Sequence, residues 1–217
     1  MITIKTAAEI ALIKKSAEIL TTVKQFVYDA IKPGIKTIDL DKLAHREIIK
    51  LGGKPAFLNY HGFPNTLCIS VNEEVIHGIP GKRVIKDGDI IKVDIGVIFK
   101  GYYTDSAFTK AVGKVNPQHL KVIEVAKQAF YVGVNQIKPG ARIGDIESAI
   151  GQYVRAQNLY VPSDFTGHGI GLNLHEDPSI HNQGIPKTGP LLRDGMVICI
   201  EPMILQQTNK VKIAKDG

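Results

Sequence analysis

Three carboxylates in this chain stand where a carboxylate is expensive. Asp94 interrupts the apolar run Ile90, Ile91, Val93, Ile95, Val97, Asp105 sits in the next strand-like run, and Glu201 closes an apolar run just before Pro202. An ionised carboxylate in such a setting needs a partner, hydrogen bonds or a metal ion. Asp94 and Asp105 flank Lys100-Gly101, a turn signal, so a tight hairpin makes them opposite or diagonal neighbours on one face. Two like charges so placed repel, and a divalent cation is the usual remedy. A strand-end acid capping a turn would explain any one of them, but not the three together.

The histidines are unequal. His168 lies in Gly167-His168-Gly169-Ile170-Gly171, where flanking glycines let the backbone approach a ligand. His175 follows in His175-Glu176-Asp177-Pro178, and His77 sits in Val75-Ile76-His77-Gly78-Ile79-Pro80. His45 and His119 fall on helical segments and read as satisfied, half-buried side chains, while pattern leaves His61 and His181 undecided. Three carboxylates with one imidazole form an oxygen-rich donor set suited to manganese, iron or cobalt, and zinc also fits. It is unlike the histidine- or cysteine-rich sets of structural zinc.

These groups need helices and strands to hold them. Thr6 and Glu9 form a capping pair, and Ile10, Ile13, Ala17, Leu20, Val23 and Val27 then recur at helical spacing until Pro33-Gly34. A second helix is expected from about Thr37 to Gly52. Strands are expected at 67–71, 89–98 and 102–110, with Glu201 in a further apolar strand. Asn116-Pro117 opens a third helix running to Pro139-Gly140, and a fourth covers about 145–156.

An internal repeat ties these elements together. Ile31-Lys32-Pro33-Gly34 recurs as Ile137-Lys138-Pro139-Gly140, with Asp39 matching Asp145 at the same spacing. Shifted by one residue, Asp87-Gly88 matches Asp194-Gly195, Asp94 matches Glu201, and His61-Gly62 matches His168-Gly169. Each half reads as helix, Pro-Gly stop, helix and strands, with an acid closing a buried strand. The expectation is one catalytic domain over 1–217 with pseudo-symmetric halves at about 1–112 and 113–217.

Composition narrows the class. Hydrophobic residues at 44% and charged residues at 22% are ordinary for a soluble globular protein. No apolar run approaches the roughly 20 residues needed to cross a bilayer. Lys5, Glu9 and Lys14 mix with the apolar residues of the N-terminus, which does not read as a signal peptide, so a cytoplasmic location is expected. Cys68 and Cys199 each sit inside an apolar run and read as buried free thiols. The net charge of +6 is spread along helices and loops with no nucleic-acid motif, leaving room for no more than a weak attraction to a ribosome.

Tyr60-His61-Gly62-Phe63-Pro64, Ile76-His77-Gly78-Ile79-Pro80, Val93-Asp94-Ile95-Gly96, Thr104-Asp105-Ser106-Ala107, Gly167-His168-Gly169-Ile170-Gly171, His175-Glu176-Asp177-Pro178 and Glu201-Pro202-Met203 follow in order along the chain. In order and spacing they resemble the type I methionine aminopeptidases, over essentially the whole length. The resemblance implies the α+β pita-bread fold, with two pseudo-symmetric halves and a curved antiparallel sheet covered by helices. It implies removal of the N-terminal methionine from nascent proteins by a metal-bound hydroxide attacking the first peptide bond. Asp94, Asp105, His168 and Glu201 would hold two divalent ions (cobalt, manganese, iron or zinc), and Glu201 would also shuttle the proton. His175 would steady the substrate carbonyl and His77 would touch the scissile amide. Phe57, Tyr60, Phe63, Cys68 and Leu174 would line the methionine pocket, soft and apolar surroundings for a thioether. The partners expected are nascent N-termini, with no membrane, and the protein is expected to be a monomer.

The chain departs from that pattern in three places. Leu172 stands where the family commonly has arginine, and Leu174 where it has an aromatic residue. The family also continues past the turn at Lys215-Asp216-Gly217 into a closing strand that carries a second bridging glutamate. The expectations are therefore a natural chain longer than this one and, as the alternative function, a non-catalytic pita-bread protein that binds peptides or partners. A prolidase-like hydrolase is weakened by the lack of an extra N-terminal domain.

Overall fold

The computed structural model describes residues 1–214, and the turn expected at Lys215-Asp216-Gly217 lies outside them. The chain forms two compact units that are not consecutive along the sequence. One holds Ala7–Asn116 with Gly171–Leu174, the other Met1–Thr6, Pro117–Ile170 and His175–Ala214. Both combine helices with antiparallel strands, an α+β composition.

In the first unit, α1 (Ala7–Ala30) and α2 (Thr37–Lys50) lie where the apolar spacing predicted helices. They are followed by β1 (Lys54–Pro55), β2 (Leu67–Val71), β3 (Ile90–Phe99) and β4 (Tyr102–Ala111). β3 is the central strand and pairs antiparallel with the other three. Its alternate residues Ile91, Val93, Ile95 and Val97 are at most 1% exposed and join Leu20, Val23, Val27, Leu40 and Ile48 in one core. Each such side chain contributes roughly 1.5–3 kcal/mol by burial, which commits this face of the sheet to the helices. The opposite face is left for polar chemistry. Asp41 of α2 is buried and accepts hydrogen bonds from the amides of Thr66 (2.8 Å) and Leu67 (2.9 Å), tying the helix to the start of β2.

The β3–β4 hairpin turns through Lys100 (φ 48°) and Gly101 (φ 87°), both left-handed. Two successive positive φ values make the two-residue turn whose twist matches that of paired strands. Phe99 faces Tyr102 across it, and the turn fixes the register of every residue further along both strands.

The second unit contains α3 (Pro117–Val134), α4 (Ile143–Ala156), β5 (Thr166–Gly169) and β6 (Glu176–His181). Val125, Ala129, Ile146, Ile150, Val154, Ile180 and Ile200 form its core. α3 stops at Val134, short of the expected Pro139, because the chain tightens into turns (Gln136 N–H to Gly133, Ile137 N–H to Val134) ahead of a proline that disfavours helix before it. α4 starts at Ile143, earlier than expected, since Asp145 reaches back from the first turn to accept the Arg142 amide at 2.8 Å. The segment around Glu201 is not a regular strand. Residues 197–199 bond to His168 of β5 and to Ile170 just beyond it, and Pro202, with no N–H, cannot extend a ladder.

Candidate metal centre

Strand register places the two aspartates. Asp94 on β3 faces Ala107 on β4 and Cys68 on β2, while Asp105 on β4 faces Gly96. Asp94 and Asp105 are therefore diagonal neighbours on the face away from the helices, about 7–8 Å apart at the backbone and within reach of a shared ligand. Both are half-buried. The field they create reaches Cys68: burial first, and then Asp94 and Asp105, push its thiol well above the ordinary cysteine range.

The expected methionine-pocket residues belong to this same unit. Phe57 is buried against Gly96, where an added side chain would lie 2.6 Å from its ring. Tyr60 occupies a short 3-10 turn, and burial together with the nearby Tyr103 phenol raises its pKa. Phe63 is half-buried, and Leu174 is 2% exposed. The 171–174 segment is held to β4 by the Tyr103 amide donating to the Gly171 carbonyl at 2.8 Å. His77 has a left-handed backbone (φ 58°) and lies in the loop whose Gly78 carbonyl accepts the Ile69 amide of β2 at 2.8 Å. Desolvation of its ring holds its pKa below the usual histidine value, against the opposing pull of Asp105.

His168, His175 and Glu201 belong to the other unit. His168 sits on β5 between two glycines, and both glycines are required by close approach. An added side chain at Gly167 would lie 2.2 Å from the Cys199 carbonyl, and one at Gly169 would lie 2.1 Å from that of Asp177. The His168 Nδ1 lies 2.9 Å from the Gly169 carbonyl, which can only accept, so Nδ1 carries the proton. Nε2 faces Glu201 Oε1 at 3.1 Å. A proton on Nε2 makes this contact an ion pair, and a metal ion between the two atoms would take the proton's place. The Asn182 side chain donates to the Glu201 carbonyl at 2.9 Å and holds that segment in place. The His175 ring stands edge-on to that of His168, with centroids 4.4 Å apart. Ligand atoms of His168, Cys199 and Glu201 all lie within 4.8 Å of one another. This nitrogen, sulfur and oxygen set fits a divalent ion.

The remaining histidines occupy ordinary places. His45 is half-buried on α2 with Nδ1 3.1 Å from the Thr66 hydroxyl, and His119 is half-buried on α3. His61 and His181 are exposed, with the His61 ring against Tyr60. Two features escaped the sequence reading. Cys199 sits beside His168 and Glu201, which the two-residue spacing from Glu201 could have signalled. Lys5 forms a buried ion pair with Glu176, the neighbour of His175, and no sequence signal marks it.

The pattern of metallopeptidase family M24 matches residues 11–216. The chain is 44% identical over 217 residues to methionine aminopeptidase 1 of Bacillus subtilis, covering all of this chain and 88% of that one. It is 47% identical over 218 residues to the methionine aminopeptidase of Mycoplasma capricolum, covering 100% and 86%. The crystal structure of methionine aminopeptidase from Thermotoga maritima superposes with a TM-score of 0.98 at 40% identity, covering 100% of this chain and 88% of that one. The chain thus belongs to metallopeptidase family M24. Its fold is the α+β pita-bread fold of that family's methionine aminopeptidases, and type I membership is consistent with the comparisons.

Proposed function

We infer that this protein is a metal-dependent aminopeptidase that removes methionine from the N-termini of polypeptides. Family membership and the relatives' shared activity support this reading over a non-catalytic binding protein. The observation within the chain that carries it is the convergence of His168, Cys199 and Glu201 ligand atoms within 4.8 Å of one another, a donor set suited to a divalent ion.

Asp94, Asp105, His168 and Glu201 are proposed to hold two divalent ions, with cobalt, manganese, iron and zinc all compatible with the donors. Bound there, the ions would supply Lewis-acid activation of water and of the scissile carbonyl. Glu201 takes the proton released as water attacks and returns it to the leaving amine. His175 donates a hydrogen bond to the substrate carbonyl oxygen as negative charge develops on it. His77 contacts the scissile amide. Phe57, Tyr60, Phe63, Cys68 and Leu174 receive the methionine side chain, whose thioether suits a soft, apolar lining. Residues 1–217 are read as a single catalytic domain. The substrates are nascent N-termini, met by a cytoplasmic monomer with a weak electrostatic attraction to ribosomes. Among the described residues no helix is long and apolar enough to cross a membrane.

Incubating the protein with cobalt or manganese and three peptides tests this. Methionine should be released from Met-Ala-Ser, while acetyl-Met-Ala-Ser and an X-Pro dipeptide should stay intact. Comparable cleavage of the acetylated peptide, or preference for the X-Pro bond, would overturn it.

A further inference from the structure

The segment 197–201 brings a thiol into the second unit's cluster of donors. Cys199 and His168 exchange both backbone hydrogen bonds: the Cys199 amide donates to the His168 carbonyl at 2.7 Å, and the His168 amide to the Cys199 carbonyl at 3.2 Å. Residues paired in this way direct their side chains to one face. Glu201, two residues on, brings a carboxylate oxygen to the same cluster. The Cys199 sulfur, a His168 ring nitrogen and a Glu201 carboxylate oxygen consequently converge within 4.8 Å, and Cys199 is only partly exposed. A tetrahedral ion with bonds of about 2.0–2.3 Å keeps its donors roughly 3.3–3.8 Å apart, so side-chain adjustments of about 1 Å would bring all three onto one ion.

We propose that Cys199 is a sulfur ligand to the ion held by His168 and Glu201, and that it biases this site towards softer ions. The proposal rests on the metal-dependent reading above. As the sulfur–metal bond forms, the S–H bond breaks and its proton passes to solvent, with no change of oxidation state. Zinc and iron gain from a sulfur donor, whereas manganese, which prefers oxygen, gains little. Metal bound at this position also shields the sulfur from alkylating reagents.

Cobalt titrated into the full chain and followed by absorption is the test. A near-ultraviolet sulfur-to-cobalt charge-transfer band is expected in the wild type and in Cys68→Ser, and its absence is expected in Cys199→Ser. Zinc should bind Cys199→Ser at least about a hundred-fold more weakly, beyond the usual effect of a residue that only orients a ligand, while manganese affinity changes much less. A band that persists in Cys199→Ser, or cobalt binding to the wild type without any band, overturns the proposal. Failure of cobalt to bind the wild type at all overturns the metal reading itself. Should Cys199→Ser misfold, alkylation of the wild type read by peptide mass decides: zinc protection of Cys199 supports ligation, and equal labelling with and without zinc refutes it.

Discussion

Replacing Lys5 with methionine should destabilise this protein far more than its place near the N-terminus implies. The Lys5 ammonium lies 2.8 Å from a Glu176 carboxylate oxygen, with side-chain exposures of 5% and 7%. It also donates to the Thr3 hydroxyl at 2.6 Å, which bonds the same carboxylate at 2.5 Å. Methionine keeps most of the aliphatic stem, so packing is largely preserved and the lost charge dominates. What remains is a buried carboxylate without its cation, at a cost of about 3–5 kcal/mol. In a chain of this size each kcal/mol moves Tm by about 2–4 °C, giving a fall of roughly 6–20 °C. Scanning calorimetry and urea unfolding at neutral pH measure it. Lys5→Met/Glu176→Gln should recover most of the loss, because a neutral amide needs no counter-charge. The kcat of Lys5→Met should also fall below its melting range, because Glu176 adjoins His175. A loss under about 1 kcal/mol, the value of an exposed ion pair, would refute the argument from burial.

Asp105→Ala should abolish peptidase activity and metal uptake while far-ultraviolet circular dichroism stays unchanged, since a half-buried site on the sheet's polar face does not carry the core; undiminished turnover at saturating metal would remove Asp105 from the site. His175→Ala should lose about 3–4 kcal/mol of transition-state stabilisation, read in kcat, with metal content by elemental analysis retained. A parallel loss of metal would make His175 a ligand instead. The backbone amides of Arg142 and then Lys187, each 2.8 Å away, hold the Asp145 pKa below its ordinary value. Its contribution to stability is thus present above the unfolded-state pKa and is lost as pH falls through the folded-state value. Asp145→Asn should be less stable than wild type at neutral pH, with the gap closing in acid, as urea unfolding over a pH series will reveal; a gap independent of pH would contradict this.

The amino-acid sequence by itself carried the parts of this protein that depend on local periodicity. Alternation along 90–99 and the Lys100-Gly101 turn were enough to set Asp94 and Asp105 on one face, because hairpin register follows from the turn and the side-chain period is two. Helical spacing located α1 and α2 within a few residues, and seven motifs in order, from Tyr60-His61-Gly62 to Glu201-Pro202-Met203, carried the family resemblance. Only the tertiary structure decided which distant segments meet. Nothing local assigns 171–174 to the unit built from 7–116, nor pairs Lys5 with Glu176. Cys199 reads in the sequence as a buried free thiol in an apolar run, whereas in the fold it is only partly buried and its backbone pairs with that of His168. Likewise Asp41, one acid among many on an amphipathic helix, gained its role by receiving the amides that open β2. Periodicity assigns a face to each residue of an element, but the partner on that face comes from a chain segment far along the sequence. Burial selects that segment, because a charge or a backbone amide removed from water must find a complement wherever the folded chain supplies one.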